Sequence, residues 1–354
     1  AGAAGDGSEQ ALRPGTFDAV ILGSGVSNAV PLMEHILAGT CGKSSALRKV
    51  DGLSICVQAM HEGSKNKRCN VSLLVRFRPH DGGRVQHLMV DAGKTMREAV
   101  LATFPSLGAD MIDAVLLTHG HADAILGLDD LRDIQVCEEV FENGVMIGYR
   151  PRDSRGPIRI MSNHDTMERV RQVFPYVVRG LEFERPGVLR RRVTWVTLEE
   201  FDDNAQVDLN GFPIRFFPVW HGGTYVSLGF AFGYQGRGPG HPIEDNDSKE
   251  GCPLVFISDV KDVPPDTMTW LEHVAKAGIE LLIVDALCRE NHPTHFSLDD
   301  ALNFLRHIRP KRALLVGVSS CGMGDHDEVN EELALLREAE GLDVQLSYDG
   351  MRLP

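Results

Sequence analysis

Short apolar runs alternate along the chain with segments in which apolar residues recur at helical spacing. This alternation predicts an α/β fold, because each strand is followed by a helix that can cover the sheet. The predicted strands are Ala19–Leu22, Ser72–Phe77, His87–Val90, Ala114–Leu117, Ile214–Val219, Ser227–Phe232, Leu254–Ile257, Leu281–Val284 and Ala313–Val316. The predicted helices are Thr95–Thr103, Ile125–Ile134, Asp165–Val173, Asp266–Ala277, Leu298–Ile308 and Val329–Ala339.

Two of the predicted helices carry further local signals. Val329, Leu333 and Leu336 fall on one face, as an amphipathic helix requires. Ser297 and Asp300 have the spacing of a capping box, in which each side chain bonds to the backbone N–H of the other. We therefore expect a helix that begins directly after Ser297.

The 354 residues can form one large domain or two ordinary ones. No boundary is evident, so we expect a single domain over residues 15–354, preceded by a disordered leader over residues 1–14 that is rich in Gly and Ala. Two stretches rich in Gly, Pro and charge, near residues 150–157 and 235–251, are typical of loop insertions.

Composition disfavours two classes of partner. A net charge of -14 and 6% aromatic residues argue against a grip on long nucleic acid, which needs a basic surface and rings for stacking. No apolar run approaches the ~18 residues of a membrane span. The seven cysteines contain no C-x-x-C pair, and this scatter indicates reduced thiols in a cytoplasmic protein.

The segment Leu116–Ala124 contains the strongest chemical motif, H-x-H-x-D. His119 and His121 follow a predicted strand and can reach one ion, while the carboxylate of Asp123 can reach a second position nearby. Imidazole nitrogen and carboxylate oxygen are ligands of Zn²⁺ and similar cations, which activate water near neutral pH. The motif therefore predicts a metal site; a strand-end turn without a ligand is the alternative.

Other polar side chains also follow predicted strands. Groups at the carboxyl ends of strands converge on one rim of a sheet, which predicts one site assembled from distant parts of the chain. Asp91 and Asp285 each have two interpretations, a second layer that orients a histidine or a cap for the segment that follows. The residues at strand ends are Asp91, His119, His221, Asp259 and Asp285.

With these residues the chain resembles the metallo-β-lactamase-fold hydrolases, in particular the phosphodiesterase branch typified by PhnP and, more distantly, tRNase Z. The resemblance runs nearly end to end. It rests on Val20–Gly25, Val90–Gly93, Thr118–Asp123, Gly127–Arg132, Pro218–His221, Ile257–Asp259, Val284–Leu287, Thr294–Phe296 and Ser347–Met351.

The resemblance implies an αββα sandwich with a two-metal site on one edge. Zinc suits an imidazole-rich first site, and manganese is the alternative for a second site richer in oxygen. His295 and Asp123 are the residues for which the resemblance implies a catalytic part, His295 by donating a proton to the leaving oxygen. The implied metal ligands are His119, His121 and His221 for the first ion, Asp259 as the bridge, and Asp123 for the second ion.

The chain departs from the family pattern at two positions. The motif usually continues H-x-H-x-D-H, whereas Ala124 stands last here, a form that resembles a eukaryotic subgroup. A further metal histidine usually follows the strand Ala313–Val316, but the turn here is Gly317–Ser320. We expect His326 to replace it as a ligand, and the second ion to be bound more weakly.

The implied function is hydrolysis of a phosphodiester, of a nucleotide or a cyclic phosphate, by a metal-bound hydroxide. The expected partner is therefore a small anionic substrate, and self-association into a homodimer stays open. Three alternatives remain: hydrolysis of a thioester or another ester on the same fold, a one-metal binding or regulatory protein, and a tRNA 3′-end nuclease. The strongly negative charge disfavours the nuclease.

Overall fold

A computed structural model describes residues 12–41, 52–135, 137–151, 157–178, 196–241 and 251–353. The strands are β1 Phe17–Gly23, β2 Ser72–Phe77, β3 Gln86–Val90, β4 Ala114–Leu116, β5 Cys137–Glu142, β6 Val145–Pro151, β7 Ile158–Ser162, β8 Val196–Glu200, β9 Gln206–Leu209, β10 Phe212–Trp220, β11 Val226–Phe232, β12 Cys252–Ile257, β13 Ile279–Asp285, β14 Arg312–Val316, β15 Val344–Leu346 and β16 Arg352–Leu353. The helices are α1 Met33–Cys41, α2 Gly52–Gln58, α3 Met96–Leu107, α4 Ala122–Ile125, the 3₁₀ helix Leu126–Ile134, α5 His164–Val173, α6 Pro175–Val178, α7 Pro265–Ala277, α8 Leu298–Ile308, α9 Ser320–Met323 and α10 His326–Glu340.

The strands form two seven-stranded sheets and one small hairpin, β5–β6. The first sheet has the order β16-β1-β2-β3-β4-β7-β8, and the second has the order β15-β14-β13-β12-β11-β10-β9. Each sheet combines an antiparallel part with a parallel part. Strands β3, β4, β7 and β8 are parallel in the first sheet, as are β12 to β15 in the second.

The central core lies between the two sheets. Leu73 of β2 and Phe230 of β11 belong to the same buried apolar cluster, whereas the neighbouring Leu74 points the other way, into a cluster with α3 and α5. Leu282 of β13 likewise packs against α7, α8 and α10 on the outer face of the second sheet. Because successive residues of a strand face opposite sides, this arrangement makes the αββα sandwich, and the expected fold class is confirmed.

All nine predicted strands and all six predicted helical segments are present, with ends that differ by a few residues. One changes its type, because the predicted helix Ile125–Ile134 consists of the end of α4 followed by the 3₁₀ helix. The capping box at Ser297 is present, with Asp300 bonded to the Ser297 backbone. The leader and the two loop insertions fall mostly outside the described residues, and the single-domain assignment stays a prediction.

The parallel strands decide where the polar residues meet. Asp91 follows β3 and His119 closely follows β4, while Asp259 follows β12 and Asp285 ends β13. Because β10 runs in the same direction as β12, His221 lies at the same edge. Within the described ranges, no helix has the length and apolarity needed to span a bilayer.

Candidate metal centre

Five side chains converge at the edge where the parallel strands of both sheets end. Ligand atoms in each of two groups, which share His221, lie within 4.8 Å of one another. The first group is His119, His121 and His221, and the second is His221, Asp259 and His295.

His119 is held by a chain of hydrogen bonds that starts at the end of β3. Asp91 accepts hydrogen bonds from the Thr118 backbone N–H at 2.8 Å and from the Thr118 hydroxyl at 2.7 Å. The Thr118 oxygen lies 2.8 Å from His119 Nδ1. When Asp91 is ionised it takes the single hydroxyl proton, so Thr118 accepts from Nδ1–H and the lone pair of His119 is on Nε2. Such a partner fixes the tautomer that a metal needs.

His221 is oriented by the backbone rather than by a side chain. Its Nδ1 lies 2.8 Å from the carbonyl oxygen of Thr294 and donates to it, so Nε2 again carries the lone pair. Gly222, at φ +83°, passes so close to Thr294 that a Cβ there would lie 2.7 Å from its methyl group. The close approach of these two loops is what brings the carbonyl to the imidazole.

Asp259 stands at the middle of the centre. It has φ +51°, a conformation that costs energy for a residue other than glycine and is common at functional sites. Burial, followed by the charges of Asp285 and Asp123, raises its pKa to about 8. A buried carboxylate of this kind needs a positive partner to remain ionised near neutral pH.

His295 is paired with a buried carboxylate at the end of β13. Its Nδ1 donates to Asp285 Oδ2 at 2.7 Å, and Asp285 is completely buried. Burial lowers the pKa of His295, but the carboxylates of Asp285, Asp259 and Asp123 outweigh it and raise the pKa to about 9. The paired carboxylate of Asp285 therefore favours the protonated form of the imidazole.

The donor atoms fit a bound divalent cation. The Nε2 atoms of His119, His221 and His295 lie 4.0, 3.8 and 4.0 Å from Asp259 Oδ1. Ligands at about 2.0–2.2 Å from one ion are separated from each other by roughly 3 to 4 Å. His119 Nε2 is also buried without a hydrogen-bond partner among the described residues. A buried nitrogen with an available lone pair and no partner is what a metal would satisfy.

Two residues predicted as metal ligands, Asp123 and His326, lie outside the two groups of converging ligand atoms. Asp123 is in the first turn of α4, where its charge raises the pKa of Asp259, but it belongs to neither of the two groups of converging atoms. The structure does not bring His326 to the centre. Its ring nitrogens lie 3.1 Å from Arg68 Nη2 and 3.0 Å from Asn330 Nδ2, so the ligand role expected for His326 is corrected.

The two positions that lack family histidines are closed by packing. Ala124 is 1% exposed and its methyl group belongs to the apolar cluster under α3. Gly317 has φ +72°, and a Cβ there would overlap the carboxylate of Asp285. The absence of both imidazoles is thus part of the packing around the centre.

Sequence reasoning missed the aromatic wall of the centre. The ring of Tyr225 stacks on His121 with centroids 4.9 Å apart and planes 4° apart. A pocket of about 530 Å³ opens beside them, against α5. Tyr225 follows the turn after His221 with no periodic signal, whereas Thr118 could have been found as the neighbour of the motif.

Comparisons with known proteins agree with this architecture. A family model described as "Beta-lactamase superfamily domain" matches residues 86–317, more than half of the chain, and includes all of the converging side chains. An octanoyltransferase of Porphyromonas gingivalis is 25% identical over 289 residues. The match covers 81% of this chain and 46% of that protein, so the chain spans less than half the length of this curated relative.

Solved structures show the same fold. A diphosphatase from the PhnP family is 23% identical, with a TM-score of 0.64 and coverage of 95% of this chain and 96% of the other. Zn²⁺-bound PqqB from Methylobacterium extorquens is 16% identical, with a TM-score of 0.57 and coverage of 95% and 99%. The short form of human tRNase Z is 14% identical, with a TM-score of 0.51 and coverage of 95% and 98%. These likenesses confirm the expected fold resemblance.

Proposed function

We propose, from the premise that this chain belongs to the β-lactamase superfamily of metallo-β-lactamase-fold hydrolases, that it hydrolyses phosphodiesters of small anionic substrates such as nucleotides or cyclic phosphates. One observation supports this most directly. The Nε2 atoms of His119, His221 and His295 surround Asp259 Oδ1 at 3.8–4.0 Å, and the Nδ1 contacts of His119 and His221 leave their Nε2 atoms available to a cation.

The residues of the chain would hold the cation as follows. His119, His121 and His221 form its imidazole ligands, and Asp259 supplies the oxygen that balances its charge. A divalent cation in such a site polarises a phosphoryl oxygen and lowers the pKa of water. Thr118 and the carbonyl of Thr294 keep the ligand tautomers, as described above.

His295 is the proposed proton donor. Its Nε2 faces Asp259, and its other nitrogen is bound to Asp285, so the imidazole can hold a proton at the centre and give it to the departing oxygen. The alternative role, as a further ligand, uses the same nitrogen. The carboxylate of Asp123, whose charge acts on Asp259, is the proposed further ligand of a second cation site together with Asp259.

The metal and the setting of the protein belong to the same proposal. Zinc suits the imidazole-rich group, and manganese is the candidate for a weaker site built from Asp123 and Asp259. Among the cysteines whose side chains the structure describes, Cys69, Cys252 and Cys288 are free thiols. Free thiols agree with a cytoplasmic setting. Self-association into a homodimer is a proposal for solution measurements.

Metal content and turnover test the function together. Purified protein equilibrated with zinc, and separately with manganese, is analysed for bound metal and for hydrolysis of bis(4-nitrophenyl) phosphate. We expect one or two ions per chain, and we expect Asp259→Ala to lose both metal and activity. Asp262→Ala, an exposed carboxylate three residues further on, is the matched control. Protein that binds no metal, or that binds it without cleaving any phosphodiester tested, would contradict the proposal.

Hydrolysis of an acyl thioester is a second candidate, favoured by the octanoyltransferase among the relatives. The match covers 46% of that protein, so the named activity can belong to the part of that protein outside the match. An assay with octanoyl-coenzyme A beside the phosphodiester separates the two. Thioester cleavage that depends on Asp259 and exceeds diester cleavage in kcat/KM would replace the first proposal with the second.

A further inference from the structure

An arginine that belongs to no sequence motif packs beside the histidine motif of the metal centre. Arg169 lies on α5, and a Cβ added at Gly120 would lie 3.1 Å from both its Cβ and its Cγ. Gly120 stands between His119 and His121. The aliphatic part of Arg169 therefore packs against the backbone that joins two of the proposed metal ligands.

Tyr225 completes the same corner. Its hydroxyl accepts a hydrogen bond from the Gly120 N–H at 3.4 Å, and its ring covers one face of His121. A tyrosine hydroxyl that accepts from the backbone still has its own proton to donate. Arg169, Tyr225 and His121 all line the pocket of about 530 Å³, so a molecule in the pocket would lie beside one of the proposed metal ligands.

Within the described residues, the guanidinium of Arg169 forms no ion pair. None of the described carboxylates lies within ion-pair distance of it, whereas Arg171 on the same helix contacts Glu200 and Glu168. Asp165 and Glu168 also line the pocket and would repel an anion there, so an anionic group needs the positive charge of Arg169 to bind. An unpaired guanidinium beside a hydroxyl donor is suited to a carboxylate or a phosphate.

We propose that Arg169 and the Tyr225 hydroxyl bind a second anionic group of the substrate, separate from the phosphodiester that is cleaved. The inference rests on the proposed phosphodiesterase function and narrows the substrate class to molecules with at least two anionic groups. In this proposal Arg169 determines specificity, because Arg169 binds one end of the substrate while the metal centre contacts the reacting atoms.

Three matched substrates test the subsite. They are the 4-nitrophenyl phosphodiesters of phenol, of 4-carboxyphenol and of 4-(phosphonomethyl)phenol, which share the leaving group and differ in the second anion. We expect the wild-type protein to prefer at least one anionic substrate over the phenyl ester by about ten-fold in kcat/KM, the size of one charge-assisted bond. Arg169→Gln lowers kcat/KM for the anionic substrates until its ratio to that for the phenyl ester is about one, whereas Arg169→Lys keeps part of the preference. Arg171→Gln is the control, and preference for only one of the anions identifies the chemistry.

A binding measurement separates the subsite from turnover. Titration calorimetry compares phenylphosphonate with 4-carboxyphenylphosphonate and 4-(phosphonomethyl)phenylphosphonate on zinc-loaded protein. A preference for an anionic ligand that Arg169→Gln removes supports the subsite even when no ester is cleaved, in which case only the proposed function fails. Equal binding of all three ligands, or equal loss for all substrates in Arg169→Gln, overturns the inference while phosphodiesterase activity stands.

Discussion

Replacement of Asp285 by Asn tests whether His295 needs the paired carboxylate in order to act as a proton donor. Asp285 is fully buried, and its Oδ2 accepts the 2.7 Å hydrogen bond from His295 Nδ1. The substitution keeps the shape of the side chain and removes its charge. We expect the protein to fold and the centre to lose the ion pair that holds His295.

The magnitude follows from the type of bond. A hydrogen bond between charged groups contributes about 1.5–3 kcal/mol, and each 1.36 kcal/mol is worth a factor of ten in rate. The kcat of Asp285→Asn should therefore fall by about ten-fold to a hundred-fold. The pKa of His295, about 9 with the carboxylates present, should fall towards its ordinary value, and the alkaline loss of activity should move to lower pH.

Two assays separate this effect from damage to the fold. The pKa of His295 is measured by NMR of histidine-labelled, metal-free protein, and kcat is measured against pH with zinc-loaded protein. Glu280→Gln, an exposed carboxylate on the same strand, is the control. An unchanged pKa of His295 in Asp285→Asn, or an unchanged kcat alongside a lowered pKa, would refute the reasoning.

Three further substitutions probe the structure around the centre. Arg68 is 1% exposed and is bonded to His326 and to two other groups. Arg68→Met should therefore lower the free energy of unfolding, measured in urea, by about 3–5 kcal/mol. The control Arg306→Met, on the surface, should lower it by less than about 1 kcal/mol. Burial and then the Arg68 charge lower the pKa of His326 to about 4. The free energy of unfolding should therefore fall by up to about 3 kcal/mol as the pH falls from about 6.5 through 4. In His326→Gln, denaturation curves taken between those pH values should show a smaller fall. Gly317→Ala should lower both stability and kcat, because its positive φ disfavours a side chain and its Cβ would displace Asp285; unchanged kcat would contradict this.

The strands in the middle of each sheet could be predicted because both of their faces are buried. Such strands contain uninterrupted apolar stretches, as in Leu73–Val75 of β2 and Leu254–Ile257 of β12. Short or polar strands were missed. In β9 the alternation of buried and exposed residues lasts only from Gln206 to Leu209, and β8 is mostly half-exposed. Their place in a sheet depends on a neighbour that is distant in sequence.

The sequence by itself determined the elements of the sandwich and the types of ligand, because periodicity and side-chain chemistry are local properties. It also placed His119, His221, Asp259 and Asp285 at strand ends. The family resemblance implied that His295 joins the centre, but only the tertiary structure decided that His295 pairs with Asp285 and that His326 pairs with a buried arginine. That choice depends on how loops from separate strands approach each other, which no local pattern encodes. The same holds for Tyr225 and Arg169, whose contacts with the histidine motif join segments about 50 to 105 residues apart along the chain.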